Sequence, residues 1–244
     1  MGRGRMYKWG LVVALAIGLI LMVANAASAA VFVEGRIIPV DQVIDDDVFI
    51  VGDRVVVEGT VRGNLFATGG EVLVNGTVEG SLFAMGQTVQ VNGTVRGSAF
   101  TGASSVILGP TANVARNLFF GGFALDIQRG ASVGQDALVG GYQAQVGGRV
   151  AGDLKAALGA LEIDGEIGGD VRVDVGDPAQ AGGPPPFWTP PGVARTLSPG
   201  LRVSEGARVG GKLVYTSPVR QDSAIQTQPR GGIVYQTPQP GEVR

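Results

Sequence analysis

The feature that most constrains this chain is a repeat. Gly59-Thr60-Val61-Arg62-Gly63-Asn64-Leu65 returns as Gly76-Thr77-Val78-Glu79-Gly80-Ser81-Leu82 and again as Gly93-Thr94-Val95-Arg96-Gly97-Ser98-Ala99, each copy the same step beyond the last. Self-similarity at a fixed short period marks a stacked architecture in which each unit buries its apolar face against its neighbours. The polar residue that precedes the aliphatic one runs Asp47, Asn64, Ser81, Ser98, Asn117, Asp136, Asp153, Asp170 and Lys212, in steps of 17, 17, 17, 19, 19, 17, 17 and 42. The long last step holds Pro178 to Gly200, with seven of the chain's 13 prolines, and reads as an insert over 176–200.

Within a repeat the apolar residues alternate: Val61, Gly63, Leu65 and Ala67 fall on one side, and Val72 and Val74 belong to a second short segment. Alternation of period two means strand. Glycine punctuates these segments, so the reading is of three- to five-residue strands with two or three turns per repeat. Identical residue types at identical places favour coils stacked in register over hairpins. The fold expected is an all-β parallel β-helix, or β-solenoid, with coils of about 17 residues. Nine rungs at about 4.8 Å give a rod about 40 Å long. Three columns should fill its bore, starting at Val48, Val55 and Val57 and repeating up the chain as Leu65, Val72 and Val74, then Leu82, Val89 and Val91.

Residues 1–29 form a separate unit. Arg3, Arg5 and Lys8 precede an apolar run from Leu11 to Val23 and then Ala24-Asn25-Ala26-Ala27-Ser28-Ala29, the pattern of an export signal with small-x-small cleavage after Ala26 or Ala29. The rival is an uncleaved anchor through residues 9–33. Either way the body, 30–216 with a degenerate cap and flexible tail over 217–244, is expected outside the cytoplasmic membrane, at the cell surface or in the periplasm. Removing the three basic residues of the leader leaves 16 Lys and Arg against 21 Asp and Glu, a net charge of -5 with no attraction to nucleic acid.

Chemistry is sparse. The chain has no His and no Cys, which removes imidazole bases, thiol nucleophiles and the usual zinc ligands, and no cofactor motif is present. A β-helix enzyme would need an acid, base or Arg cluster, which the columns do not supply, so the expectation is a non-enzymatic protein. Five of the nine Phe share one column: Phe49, Phe66, Phe83, Phe100 and Phe119. Leu138, Lys155 and Arg172 continue it, so the column should face outward as an aromatic stripe about 20 Å long, a candidate self-association surface. Asp136, Asp153 and Asp170 should stack about 5 Å apart. They could hold a cation, but bonding of each carboxylate to its own turn is the stronger expectation. Asn75-Gly76 and Asn92-Gly93 read as tight turns built on positive φ rather than as glycosylation sites. Asp41, Asp45, Asp46 and Asp47 with Pro39, and the segment Ser217 to Pro240, are expected to cap the two ends.

The run G-T-V-x-G-[NS]-L-F-A followed by V-x-V-N-G, seen at residues 59–76 and 76–93, resembles the bactofilin, or polymer-forming cytoskeletal, domain over roughly residues 40 to 215. The resemblance implies a right-handed β-helix that assembles end to end into nucleotide-free filaments and scaffolds envelope proteins. The partner it implies is a second copy of the chain. An extracytoplasmic module that stacks its aromatic column on glycans is the alternative.

Overall fold

A computed structural model describes residues 31–32, 37–179, 190, 192–193 and 195–238. The leader expected over 1–29, the anchor expected over 9–33 apart from Val31 and Phe32, and most of the Pro-rich stretch around Trp188 lie outside these. The described residues are all-β, with parallel strands wound into a solenoid and one short 3-10 turn at Asp222–Ala224. Among them no helix is long and apolar enough to cross a membrane.

Each complete coil contributes one long and one short strand. The long strands, such as Val48–Val57, Leu65–Val74, Leu82–Val91 and Leu154–Ile163, hold ten residues, and the short ones, such as Thr60–Val61 and Thr77–Val78, hold two. The expected three- to five-residue segments therefore join into one strand. In Leu65–Val74 the buried residues are first, third, eighth and tenth. The inward set passes from odd to even positions across Gly69 and Gly70, so the strand turns a corner without breaking its ladder. Gly69 sits at that corner because a Cβ there would lie 2.3 Å from the carbonyl oxygen of Gly52 in the coil below.

The long strands stack along one path of eleven, from Val31–Phe32 to Ile233–Gln236, and the short strands form a nine-stranded sheet of their own. Every predicted bore column is buried. Val48, Leu65, Leu82, Ala99, Leu118, Ala137, Leu154, Val171 and Leu213 are all fully enclosed, as are Val55, Val72, Val89 and Val106. The short strands add a further wall of Val61, Val78, Val95 and Val114. At about 1.5 to 3 kcal/mol per buried aliphatic side chain, these columns are the main source of stability.

The rod is longer than nine coils. Val31–Phe32 pairs in parallel with Val48–Phe49, and Ile37–Ile38 pairs with the far end of the same long strand, at Val56–Val57. At the other end Ile233–Gln236 pairs in parallel with Leu213–Thr216, so the segment read from sequence as a degenerate cap and tail continues the solenoid as far as Gln236. The irregular composition of 217–232 hides this, because those residues serve the insert as well as the coil.

The insert leaves from a corner. Leu158 pairs with Val175 and Ala160 with Gly200, so residues 176–199 occupy the place of the single residue Gly159 in the preceding coil. The ladder is resumed at Gly200 in the next rung without loss of register. Corner positions are where an excursion costs the sheet least, since no inward side chain is displaced.

Asn75-Gly76 and Asn92-Gly93 do form turns, but for another reason than the one expected. Positive φ occurs at Gly130, Gly192, Gly200 and Gly232 and at neither Gly76 nor Gly93. A Cβ on Gly76 would stand 1.9 Å from the carbonyl oxygen of Gly59, so the turn needs Gly for the closeness of the coils. Asn92 then donates from Nδ2 to Asn75 Oδ1 at 2.8 Å, and Asn75 to Glu58 Oε1 at 3.1 Å, a side-chain ladder up the same edge.

Candidate association surface

Three sets of polar or aromatic side chains stand out from the aliphatic frame, and each is placed by the register. The first is the column that precedes the long strands. Asp47 Oδ1 accepts from the backbone N–H of Asn64 at 2.7 Å, and Asn64 Oδ1 accepts from Ser81 N–H at 2.9 Å. Ser81 Oγ accepts from Ser98 N–H at 3.3 Å, and the pattern resumes with Asn117, Asp136, Asp153 and Asp170, whose Oδ1 atoms accept from the N–H groups of Asp136, Asp153, Asp170 and Lys212 at 3.1, 2.8, 2.9 and 2.9 Å. Each side chain thus satisfies a turn amide one coil further on. Arg172 lies 2.8 Å from Asp170 Oδ2 and 3.6 Å from Asp153 Oδ2, which offsets the like charges. The carboxylates are occupied as backbone acceptors, and among the described residues no group of His, Cys, Asp or Glu is arranged to hold a metal ion.

The charged residues Arg62, Glu79 and Arg96 of the early coils form ion pairs along the rod. Arg96 reaches Glu79 at 3.4 Å, but Arg62 turns to Asp45 at 2.5 Å. Both pairs are exposed and contribute a few tenths of a kcal/mol each.

The second set holds the insert. Gln143, itself buried, donates from Nε2 to the carbonyl of Arg195 at 2.7 Å and accepts from the N–H of Leu197 at 2.8 Å. Ser105 Oγ donates to the carbonyl of Gly192 at 3.2 Å, and Arg195 pairs with Glu162 at 2.5 Å. The described part of the insert therefore runs back along the flank of the rod. Beneath it burial pushes the Asp126 carboxyl above the usual range, against the opposing hydrogen bond from Gln128 and the charge of Arg195. The stem is clasped by Gln221, whose Oε1 accepts from Leu201 N–H at 2.7 Å while Nε2 donates to the carbonyl of Gly176 at 3.1 Å and to Ser217 Oγ at 2.6 Å. Tyr215, fully buried, accepts from Gln221 N–H at 2.9 Å and donates to Asp222 Oδ1 at 2.5 Å. Burial first, and the hydrogen bond to Asp222 second, raise the Tyr215 phenol above its ordinary range. The same bond, with that from Arg220, lowers Asp222. Sequence reading misses both glutamines, since a lone Gln in an irregular segment carries no periodic signal.

The third set is the aromatic column. Phe49, Phe66, Phe83, Phe100 and Phe119 point outward as expected, with ring centroids 4.3, 4.7, 4.8 and 4.6 Å apart in sequence and planes within 7° of parallel. Rung spacing imposes this, because side chains at equivalent positions of a parallel ladder repeat at about 4.8 Å. Each ring covers its neighbour's face, so the stripe shows solvent mainly ring edges, and Phe100 is 36% exposed. Phe32 shares the same backbone register.

Beside the stripe lies a groove of about 800 Å³ that runs up the rod from Phe83 and Met85 past Phe119 and Leu138 to Thr216 and Gln236. Its floor in the middle coils is Gly102, Gly121 and Gly140. No protein-family model matches this chain, no curated protein matches it, and no solved structure matches it.

Proposed function

We propose that this chain is a non-enzymatic structural protein of the cell envelope, exported by residues 1–29 and self-associating through a rigid, right-handed β-helix of the bactofilin type. The observation that carries the reading is the last rung. Ile233–Gln236 pairs with Leu213–Thr216 on one side, and among the described residues no strand lies beyond it. Ile233 and Val234 are exposed on this edge, which contains no Pro and no charge. A terminal coil of that kind is a template for a further strand and favours growth of the rod by docking of another copy. The largely aliphatic bore and the absence of His and Cys agree with a scaffold better than with a catalyst. The alternative glycan-binding role would need ring faces to stack on sugars, and the Phe column turns its faces inward on itself.

Negative-stain microscopy of the purified chain tests this. Eleven coils span about 50 Å, and the expected result is rods several times that length, shortened by Ile233→Lys at unchanged melting temperature. Particles of single-chain length at every concentration would overturn the proposal.

A further inference from the structure

On the face before the corner, the second and fourth residues of each long strand point outward, side by side. Three successive coils pair a large second residue with a glycine fourth: Phe100 with Gly102, Phe119 with Gly121, and Leu138 with Gly140. These glycines are not required by the coil stacking. A Cβ on Gly121 meets nothing within 4 Å, on Gly102 only Met85 Cγ at 3.8 Å, and on Gly140 only the Phe120 carbonyl oxygen at 3.9 Å. That contrasts with the corner glycine Gly122, where a Cβ would lie 1.8 Å from the Ala103 carbonyl oxygen. Glycine inside a strand weakens it and marks places where something else approaches the backbone closely. The outcome is a ridge and an empty trough of the same length, in the same three coils, with the rung repeat of the solenoid itself.

An object that fits both must carry the same axial repeat and the same ridge. We propose that two copies of this chain pair along this face as parallel rods, related by a twofold axis parallel to the solenoid axis, each copy's Phe ridge seated in the other's Gly trough. The proposal rests on the self-association reading for its partner and adds a second, lateral interface to it. Symmetry selects the orientation. A twofold axis along the rods sets the second residue of each coil opposite the fourth residue of the same coil in the partner. A twofold axis along the strands would run the rods in opposite directions and set ridge against ridge.

Two further coils agree with the parallel arrangement. Arg172 falls opposite Asp174 of the second copy, an exposed carboxylate that makes no ion pair among the described residues, and the symmetry makes that contact twice. Arg172 already serves Asp170, but a guanidinium has five N–H donors and can take both. Phe83 falls opposite Met85, which is 61% exposed in one chain, giving a sulfur–aromatic contact. The face is about 16 Å wide over five strand residues and about 40 Å long over nine coils. That buries roughly 1,300 Å² in total, within the range of specific interfaces.

The chain has no cysteine, so introduced thiols report the pairing directly. Leu138→Cys chains mixed with Gly140→Cys chains and oxidised with diamide should form disulfide-linked heterodimers, while neither variant alone should cross-link. Gly121→Leu fills the trough and should weaken pairing at least tenfold by sedimentation velocity at unchanged melting temperature. Cross-linking of Leu138→Cys alone, no cross-link in the mixture, or full pairing in Gly121→Leu would each overturn the lateral interface. Long single-width rods without lateral pairs would leave the end-to-end reading standing and remove this one, whereas side-by-side pairs of single-chain length would do the reverse.

Discussion

The three coils from Val48 to Val91 and the coil interrupted by the insert solve the same packing problem by opposite means. In the first region every position is filled by its column: Leu65 lies between Val48 and Leu82, Val72 between Val55 and Val89, and each turn amide meets the side chain one coil below. No single residue there is special, because its equivalents above and below make the same contacts. In the second region the long strand is cut into Val171–Val175 and Gly200–Val203, and the two halves are held in line by Gln221, a residue with no equivalent elsewhere. Redundant columns tolerate irregular neighbours, while a unique clasp makes a local structure depend on one side chain.

The comparison can be broken at both ends. Leu82→Asp places an unpaired carboxylate in the bore, at a cost of several kcal/mol against a total of about 5 to 15, and should abolish folding. A cooperative melt at the parent temperature would show that columns are not what holds the early coils. Gln221→Leu removes the partner of the buried Leu201 N–H and leaves the Gly176 carbonyl only its bond from Ser217 Oγ at 3.2 Å, and an unsatisfied buried group costs about 1 to 3 kcal/mol. The expected signature is a lower melting temperature with hydrogen-exchange protection lost around Val175 and Leu201 and kept at Leu65 and Leu82. Uniform loss of protection along the rod would mean that the two regions are one cooperative unit. Replacing residues 176–199 by a single Gly should have the smallest effect. It restores the long strand seen at Leu154–Ile163 and relieves a loop-closure cost of about 3 kcal/mol, offset by the flank contacts of Gln143 and Ser105. A melting temperature within a few degrees of the parent is expected, and insoluble protein would show that the insert is part of the core.

What can be read from the sequence follows from the same contrast. The bore columns, the outward Phe stripe and the position of the insert are legible because they recur once per coil, and recurrence survives the loss of any one copy. The corner inside the long strand is not, since Gly69-Gly70 looks like the end of a strand when only local signals are used. The turn glycines Gly76 and Gly93 are recognisable, but for the wrong cause: their constraint comes from a carbonyl in the coil below, which no dipeptide rule contains. Gly121 and Gly140 stand directly beside the corner glycines Gly122 and Gly141, and only the space around each separates a glycine the fold requires from one it does not. Gln143 and Gln221 act across 20 to 54 residues on backbone groups, beyond the reach of any pattern.

The side-chain ladder at the turns also gives the rod a direction in time. Asp47 accepts from Asn64, Asn64 from Ser81, and Asp153 from Asp170, always from the residue made later. A chain that emerges from its N-terminal end therefore meets, at each of these coils, an acceptor already in place for the next turn amide. Folding can follow emergence coil by coil through the early coils, whereas the turn at Asp170 waits 42 residues for Lys212, which offers no acceptor and ends the series.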